Sequence, residues 1–110
     1  MNVPFTSFEY IHNEIQTEIQ TAVMEVIKSN WFIRGNKNEI FEKEFANYCE
    51  VNYCVGCGNG LDSLYLLLKA YDIKSGDEVI IPSNTFIATA LAVIYVGAIP
   101  VFVEPRIDTY

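Results

Sequence analysis

The run Val79-Ile80-Ile81-Pro82-Ser83-Asn84-Thr85-Phe86, and its continuation to Gly97-Ala98-Ile99-Pro100-Val101-Phe102-Val103, decides the fold. Residues 79–103, or 25 positions, carry no charged side chain, and on length alone such a run would cross a membrane. Pro82-Ser83-Asn84-Thr85 near one end and Gly97-Ala98-Ile99-Pro100 near the other break it into pieces joined by turns. Buried parallel strands are themselves near-continuous apolar runs. The expectation is therefore a strand from Glu78 to Pro82, a loop at Ser83-Asn84-Thr85, a helix from Phe86 to Val96 and a strand from Ile99 to Val103. Gly97 takes the left-handed position that stops the helix.

Working outward, Lys74-Ser75-Gly76-Asp77 reads as a turn. Before it, Leu61, Leu64, Tyr65, Leu68 and Tyr71 share one face of a helix from about Leu61 to Tyr71. Gly58-Asn59-Gly60 turns the chain into that helix, and Tyr53 to Gly56 reads as a short strand. Alternating short strands and helices are the signature of a parallel sheet with crossover helices. The last residues, Pro105-Arg106-Ile107-Asp108-Thr109-Tyr110, add no helix that would close the unit.

Further upstream the period is helical. Ile11, Ile15, Ile19, Ala22, Val23, Val26 and Ile27 form one apolar stripe, with Glu14, Glu18 and Glu25 opposite and Ser29-Asn30 as the stop. Trp31-Phe32-Ile33-Arg34-Gly35 is an aromatic connector with no assigned role. A second helix is expected to start at Asn36, its side chain capping while Glu39 reaches back, with Phe41, Phe45 and Tyr48-Cys49 on the buried side. This divides the chain into an N-terminal helix and connector, 1–35, and the start of an α/β domain, 36–110.

Composition narrows the function. The chain has 110 residues, 51% of them hydrophobic and 19% charged, and fourteen acidic against seven basic side chains give a net charge of -7. Seven unclustered Lys and Arg on an acidic chain disfavour a phosphodiester partner. Met1-Asn2-Val3-Pro4-Phe5 lacks the basic flank and apolar run of a secretory signal, so a cytoplasmic location and no membrane partner are expected. A small chain this apolar and charge-poor suggests faces that await a partner or more chain.

Chemistry is expected at the two strand-to-helix junctions, because parallel crossovers put both at the carboxyl edge of the sheet, where open α/β folds bind ligands. At the first, Gly58 and Gly60 let the backbone approach closely, and the amides of Gly60, Leu61 and Asp62 open a helix. Unpaired N–H groups at a helix start favour a phosphate, although a plain tight turn explains the glycines equally well. Asp62 can cap the helix or hold a neighbour while its amide points at the ligand. At the second junction Phe86 lies on the same edge. A phosphate site beside an exposed ring suits a flat, phosphorylated heteroaromatic ligand.

Four motifs carry a resemblance to a known family. Gly56-Cys57-Gly58-Asn59-Gly60-Leu61-Asp62-Ser63-Leu64, Gly76-Asp77-Glu78-Val79-Ile80-Ile81-Pro82, Asn84-Thr85-Phe86-Ile87-Ala88-Thr89 and Gly97-Ala98-Ile99-Pro100-Val101-Phe102-Val103 closely resemble the DegT/DnrJ/EryC1/StrS sugar aminotransferases. The resemblance implies the amino-terminal part of the large α/β domain of the aspartate aminotransferase-like fold, fold type I. It implies pyridoxal 5'-phosphate as cofactor, a nucleotide-linked keto (deoxy) sugar as substrate, an amino-acid amino donor and a homodimer. Gly60, Leu61 and Asp62 fall on the phosphate-binding turn, and Phe86 on the position that stacks on the cofactor ring. Many relatives have threonine where Leu61 stands, which leaves backbone contacts there.

Such chemistry needs a lysine to hold the cofactor and move a proton, and an acid beside the pyridine nitrogen. In the family both lie beyond residue 110. None of Lys28, Lys37, Lys43, Lys69 and Lys74 matches the family's lysine, so residues 1–110 alone are expected to be inactive, with no catalytic residue among them and no metal. Rival readings are a non-catalytic remnant or interaction module, a family dehydratase with histidine in place of the lysine, and a Cys54-Val55-Gly56-Cys57 redox site. A dinucleotide site is disfavoured because Leu61 stands at the third glycine position. A zinc site from Cys49, Cys54, Cys57 and His12 lacks a second paired hook, and His12 reads as a helix surface residue.

Overall fold

The computed structural model describes residues 3–110. In chain order these form α1 (Glu9–Ser29), α2 (Asn36–Tyr48), α3 (Gly60–Ala70), β1 (Glu78–Pro82), α4 (Ile87–Tyr95) and β2 (Ile99–Val103). They fall into two units, Met1–Gly56 and Cys57–Tyr110.

In the second unit β1 and β2 pair in parallel, Glu78 opposite Ile99 and Pro82 opposite Val103. Both strands have the bounds that the sequence predicts. Strand alternation sends Val79 and Ile81 to the face covered by α4 and leaves Ile80 exposed on the other. The core is Ile81, Ala90, Val93, Val96 and Ala98, with Tyr65 and Leu68 of α3, Ile73 and Val79 packed against it. Burying Val93 and Ile81 contributes roughly 1.5–3 kcal/mol each. Ala90 and Ala92 are small and buried, Ala92 completely, so α4 lies close to its neighbours and a larger side chain at Ala92 would overpack the site.

Helix ends follow from backbone chemistry. Gly97 has φ +83, and the Gly97 and Ala98 N–H groups donate to the carbonyls of Ile94 and Val93, closing α4 in a Schellman motif. Asp72 does the same for α3, with φ 57 and bonds from Asp72 and Ile73 to Lys69 and Leu68. Leu68 and Ile73 both pack on the core, the apolar contact that accompanies this cap. Tyr71 follows α3 and is exposed, so it leaves the face that the sequence gives to Leu61, Leu64, Tyr65 and Leu68.

In the first unit three expectations need correction. Asn36 is not the cap of α2: Gly35 holds that position, no side chain caps it, and Asn38 and Glu39 donate to the Gly35 carbonyl. Phe41, Phe45 and Tyr48 are exposed rather than buried, with only Ala46 of α2 enclosed. Their rings instead neighbour one another, Phe41 and Phe45 at 5.4 Å between centroids and Phe45 and Tyr48 at 6.2 Å. Tyr53 to Gly56 forms no strand. A strand needs a ladder partner, and the Gly56 N–H donates instead to the Glu42 carboxylate at 2.7 Å. That bond, with a further one from Asn38, holds the Glu42 carboxyl below the usual carboxylate range.

The stripe on α1 follows the predicted spacing but stays open to solvent, with no residue of α1 buried. The helix ends at Asn30 in the left-handed conformation, as Ser29-Asn30 predicts. His12 is exposed on α1, stacked on Phe8. No helix among the described residues is long and apolar enough to cross a membrane.

Candidate functional site

The start of α3 is built around Asn59, its N-cap, in extended backbone with φ -169 and ψ 176. Asn59 Oδ1 accepts from the Asp62 N–H at 2.9 Å, and Asn59 Nδ2 donates to Asp62 Oδ2 at 3.1 Å. The first intrahelical bond runs from the Ser63 N–H to the Asn59 carbonyl at 3.1 Å. This leaves the N–H groups of Gly60 and Leu61 as the helix-start donors with no intrahelical acceptor. Asn59 followed three residues later by an acid is a capping signature legible in sequence. Here Asn59 is the cap and Asp62 the residue it holds.

The glycines of this turn serve different ends. A Cβ on Gly58 would lie 2.8 Å from Asp62 Oδ2, so Gly58 makes room for that carboxylate. A Cβ on Gly60 would meet nothing within 4 Å. No protein atom requires glycine there, and the space beside the free amides is open to a ligand.

Phe86 is the N-cap of α4 and is 78% exposed. The loop before it is pinned: the Ser83 hydroxyl donates to Glu104 at 2.6 Å, the Ser83 N–H to the Val103 carbonyl at 2.9 Å, and Thr85 and Thr89 share a hydroxyl bond at 2.8 Å. These contacts tie the exits of β1 and β2 together and hold Phe86 at the carboxyl edge. A ring this exposed contributes little to the core, which makes it available for stacking.

One open cavity of about 540 Å³ brings the two junctions together. Gly60, Leu61 and Phe86 line it along with Asn59, Leu64, Ile87, Ala88 and Leu91. Asp62, the fourth residue singled out in the sequence, is not in its wall, being bonded at both amide and carboxylate to Asn59. No charged side chain lines this cavity, so an anion there would be met by the Gly60 and Leu61 amides and the positive end of α3. The spacing places Leu64 on a helix face, but the sequence does not show that two helix starts converge to make Leu64 and Leu91 walls.

The other groups weighed in the sequence lie elsewhere. The cysteines are unpaired, and Cys57 sits just before the α3 cap, its Sγ 2.9 Å from Ser63 Oγ. Among the described residues no three His, Cys, Asp or Glu side chains gather where they could hold a metal. In the first unit the connector residues Trp31, Phe32 and Arg34 line a smaller cavity of about 300 Å³, where Lys37 pairs with Glu25.

Comparison with known proteins gives this arrangement a lineage. The DegT/DnrJ/EryC1/StrS aminotransferase family profile matches residues 13–110. The chain belongs to that family. A dTDP-3-amino-3,6-dideoxy-alpha-D-galactopyranose transaminase of Aneurinibacillus thermoaerophilus is 51% identical over 108 residues, which is 98% of this chain and 30% of that protein. The crystal structure of S. venezuelae DesV in complex with a ketimine intermediate superposes on 94% of this chain and 28% of its own, with TM-score 0.89 and 44% identity. That of NtdA from Bacillus subtilis with bound cofactor PMP covers 96% of this chain and 24% of its own, with TM-score 0.87 and 32% identity. The chain thus spans about 30% of the length of the curated relative. As the motifs imply, its fold is that of the amino-terminal part of the DegT/DnrJ/EryC1/StrS enzymes, helices followed by a short parallel sheet.

Proposed function

We propose that this protein is a pyridoxal-phosphate-dependent aminotransferase acting on a nucleotide-linked keto sugar, and that residues 57–110 hold the phosphate and one face of the cofactor ring. The observation that carries the reading is the single cavity shared by the open side of Gly60, the free amides of Gly60 and Leu61, and the exposed ring of Phe86. A phosphate suits amides at a helix start, and the apolar remainder of the wall suits the flat body of the ligand.

Each residue has a separate task. Gly60 and Leu61 donate their N–H groups to the phosphate, and Leu61, lacking a hydroxyl, adds only its backbone. Asp62 takes part through the turn, its amide and carboxylate held by Asn59. Phe86 lies against the ring and excludes water from that face. When bound, pyridoxal phosphate supplies the electron sink for amino transfer. The transaminase activity of the Aneurinibacillus relative and the PMP bound in NtdA support this choice of cofactor and of an amino sugar product.

The covalent anchor of the cofactor is proposed to come from outside residues 1–110. Neither Lys69 nor Lys74 lines the cavity. Lys69 is nine residues along α3 from Gly60, about 13 Å of helix rise. A homodimer and an amino-acid amino donor belong to the same proposal.

The test is an absorbance titration of the intact protein with pyridoxal phosphate and, in parallel, with pyridoxal. Tighter binding of the phosphorylated form, lost on adding inorganic phosphate, together with conversion of a nucleotide-linked keto sugar to its amine, is the expected result. Equal binding of the two forms, or binding that ignores phosphate, would remove the basis of the assignment.

A further inference from the structure

The Cys57 thiol and the Ser63 hydroxyl have no part in the site as described, yet they converge on it from behind. The Ser63 hydroxyl donates to the Asn59 carbonyl at 3.1 Å, the same oxygen that accepts the Ser63 N–H at 3.1 Å. The Cys57 thiol donates to Ser63 Oγ at 2.9 Å, with its Sγ 3.5 Å from the Asn59 carbonyl oxygen. Two hydrogens of Ser63 therefore meet on one carbonyl, and the Cys57 thiol backs the hydroxyl that supplies one of them.

That carbonyl is not an arbitrary acceptor. The C=O of Asn59 and the N–H of Gly60 belong to the same peptide unit, which is planar and trans, so the two bonds point in opposite directions and cannot turn independently. Whatever fixes the Asn59 oxygen also aims the Gly60 hydrogen. Hydrogen bonds accepted by a carbonyl further polarise the N–H of its own peptide and strengthen it as a donor. The Asn59 side chain does not share this task, being bonded to Asp62.

Resting on the reading of this cavity as a phosphate site, we infer that Ser63 and Cys57 are positioning residues that aim the Gly60 N–H at the anionic end of the ligand by holding the Asn59 carbonyl of the same peptide plane. Neither residue lines the cavity, and neither is asked to touch the ligand. The second cysteine of the C-x-x-C thereby gains a role that requires no redox chemistry.

The experiment uses the intact protein and its variants Ser63→Ala, Ser63→Thr, Cys57→Ala and the double alanine variant. Each is titrated with pyridoxal phosphate and with pyridoxal, which lacks the phosphate, and the Gly60 amide is followed by nitrogen-15 NMR. Loss of one such hydrogen bond should weaken phosphate-dependent binding by about 3- to 10-fold. Ser63→Ala is expected to lose that factor for pyridoxal phosphate while pyridoxal binding stays unchanged, with a shift of the Gly60 resonance, and Ser63→Thr is expected to restore both. Cys57→Ala should show a smaller loss of the same kind. Equal weakening for both ligands would mean that Ser63 merely stabilises the helix and would overturn the inference. So would wild-type affinity in the double variant while the wild-type protein itself prefers the phosphorylated form. If the wild-type protein shows no such preference, the phosphate site itself fails, and the inference with it.

Discussion

Asn59 holds Asp62 at two points, taking its amide at 2.9 Å and giving a hydrogen to its carboxylate at 3.1 Å. One side chain thus caps α3 and turns a negative charge away from the donors beside it. Asn59→Ala removes both bonds and should cost about 1 kcal/mol, as loss of a helix cap does. Asn59→Ser keeps an acceptor for the amide and should recover most of it. Equilibrium urea unfolding of the two variants decides; an alanine variant as stable as wild type would mean that the cap is not needed.

Phe86 separates binding from stability. With 78% of its surface exposed, Phe86→Leu should leave the unfolding midpoint almost unchanged, within about 0.5 kcal/mol. It should weaken pyridoxal phosphate by roughly 2- to 10-fold, the scale of an aromatic contact, while Phe86→Tyr keeps the affinity. A leucine variant that binds as well as wild type would show that the ring is not a stacking platform.

Two glycines should respond in opposite ways to alanine. Gly97 has φ +83, and an added Cβ there would sit 3.6 Å from Ser75, an ordinary contact. The cost of Gly97→Ala is then conformational, about 1–2 kcal/mol. A Cβ on Gly60 meets open space, so Gly60→Ala should leave stability equal or slightly raised while weakening pyridoxal phosphate. Paired denaturation and binding titrations on both variants make the comparison; a Gly60→Ala variant that unfolds early and binds normally would make Gly60 a structural glycine instead of a binding one.

Much of this was legible in the order of residues because the signals were local. The uncharged run from Val79 to Val103 resolves into strand, helix and strand through Pro82-Ser83-Asn84-Thr85 and Gly97, and both strands fall where those breaks put them. What failed depended on distant partners. Tyr53 to Gly56 has strand-like residues, but strand character is a property of a pair, and its amide at Gly56 goes to Glu42. Phe41 and Phe45 have core-like spacing, but spacing names a face and not what covers it. At the site, the sequence places Gly60 and Phe86 at two junctions on one sheet edge, without the walls between them. Their meeting in one cavity rests on the packing of α3 with α4, and the grip of Ser63, backed by Cys57, on the Asn59 carbonyl rests on side-chain rotamers that no spacing rule encodes.

Glu42 gives the fold a predictable response to acid. Its carboxyl is held below the usual range first by the Gly56 N–H and then by Asn38. A folded-state value below the unfolded one means that the unfolded chain takes up the proton first as pH falls. The bond therefore stabilises the native state fully above the ordinary carboxylate range, about pH 4.3, and is lost as the pH drops through and below that range. Glu42→Gln keeps an oxygen to accept from Gly56 but has no proton to gain. The variant should be somewhat less stable than wild type near neutral pH and lose less on going from about pH 6 to about pH 3, so that the two curves converge at the acid end. Glu25, lowered first by its bond to Lys37, adds a slope of the same sign. Urea midpoints across that pH range, compared at two salt concentrations, separate the two: the Glu25 contribution should shrink with salt, whereas the slope missing from Glu42→Gln should not. Parallel curves for wild type and Glu42→Gln would mean that the Gly56 bond does not form in solution.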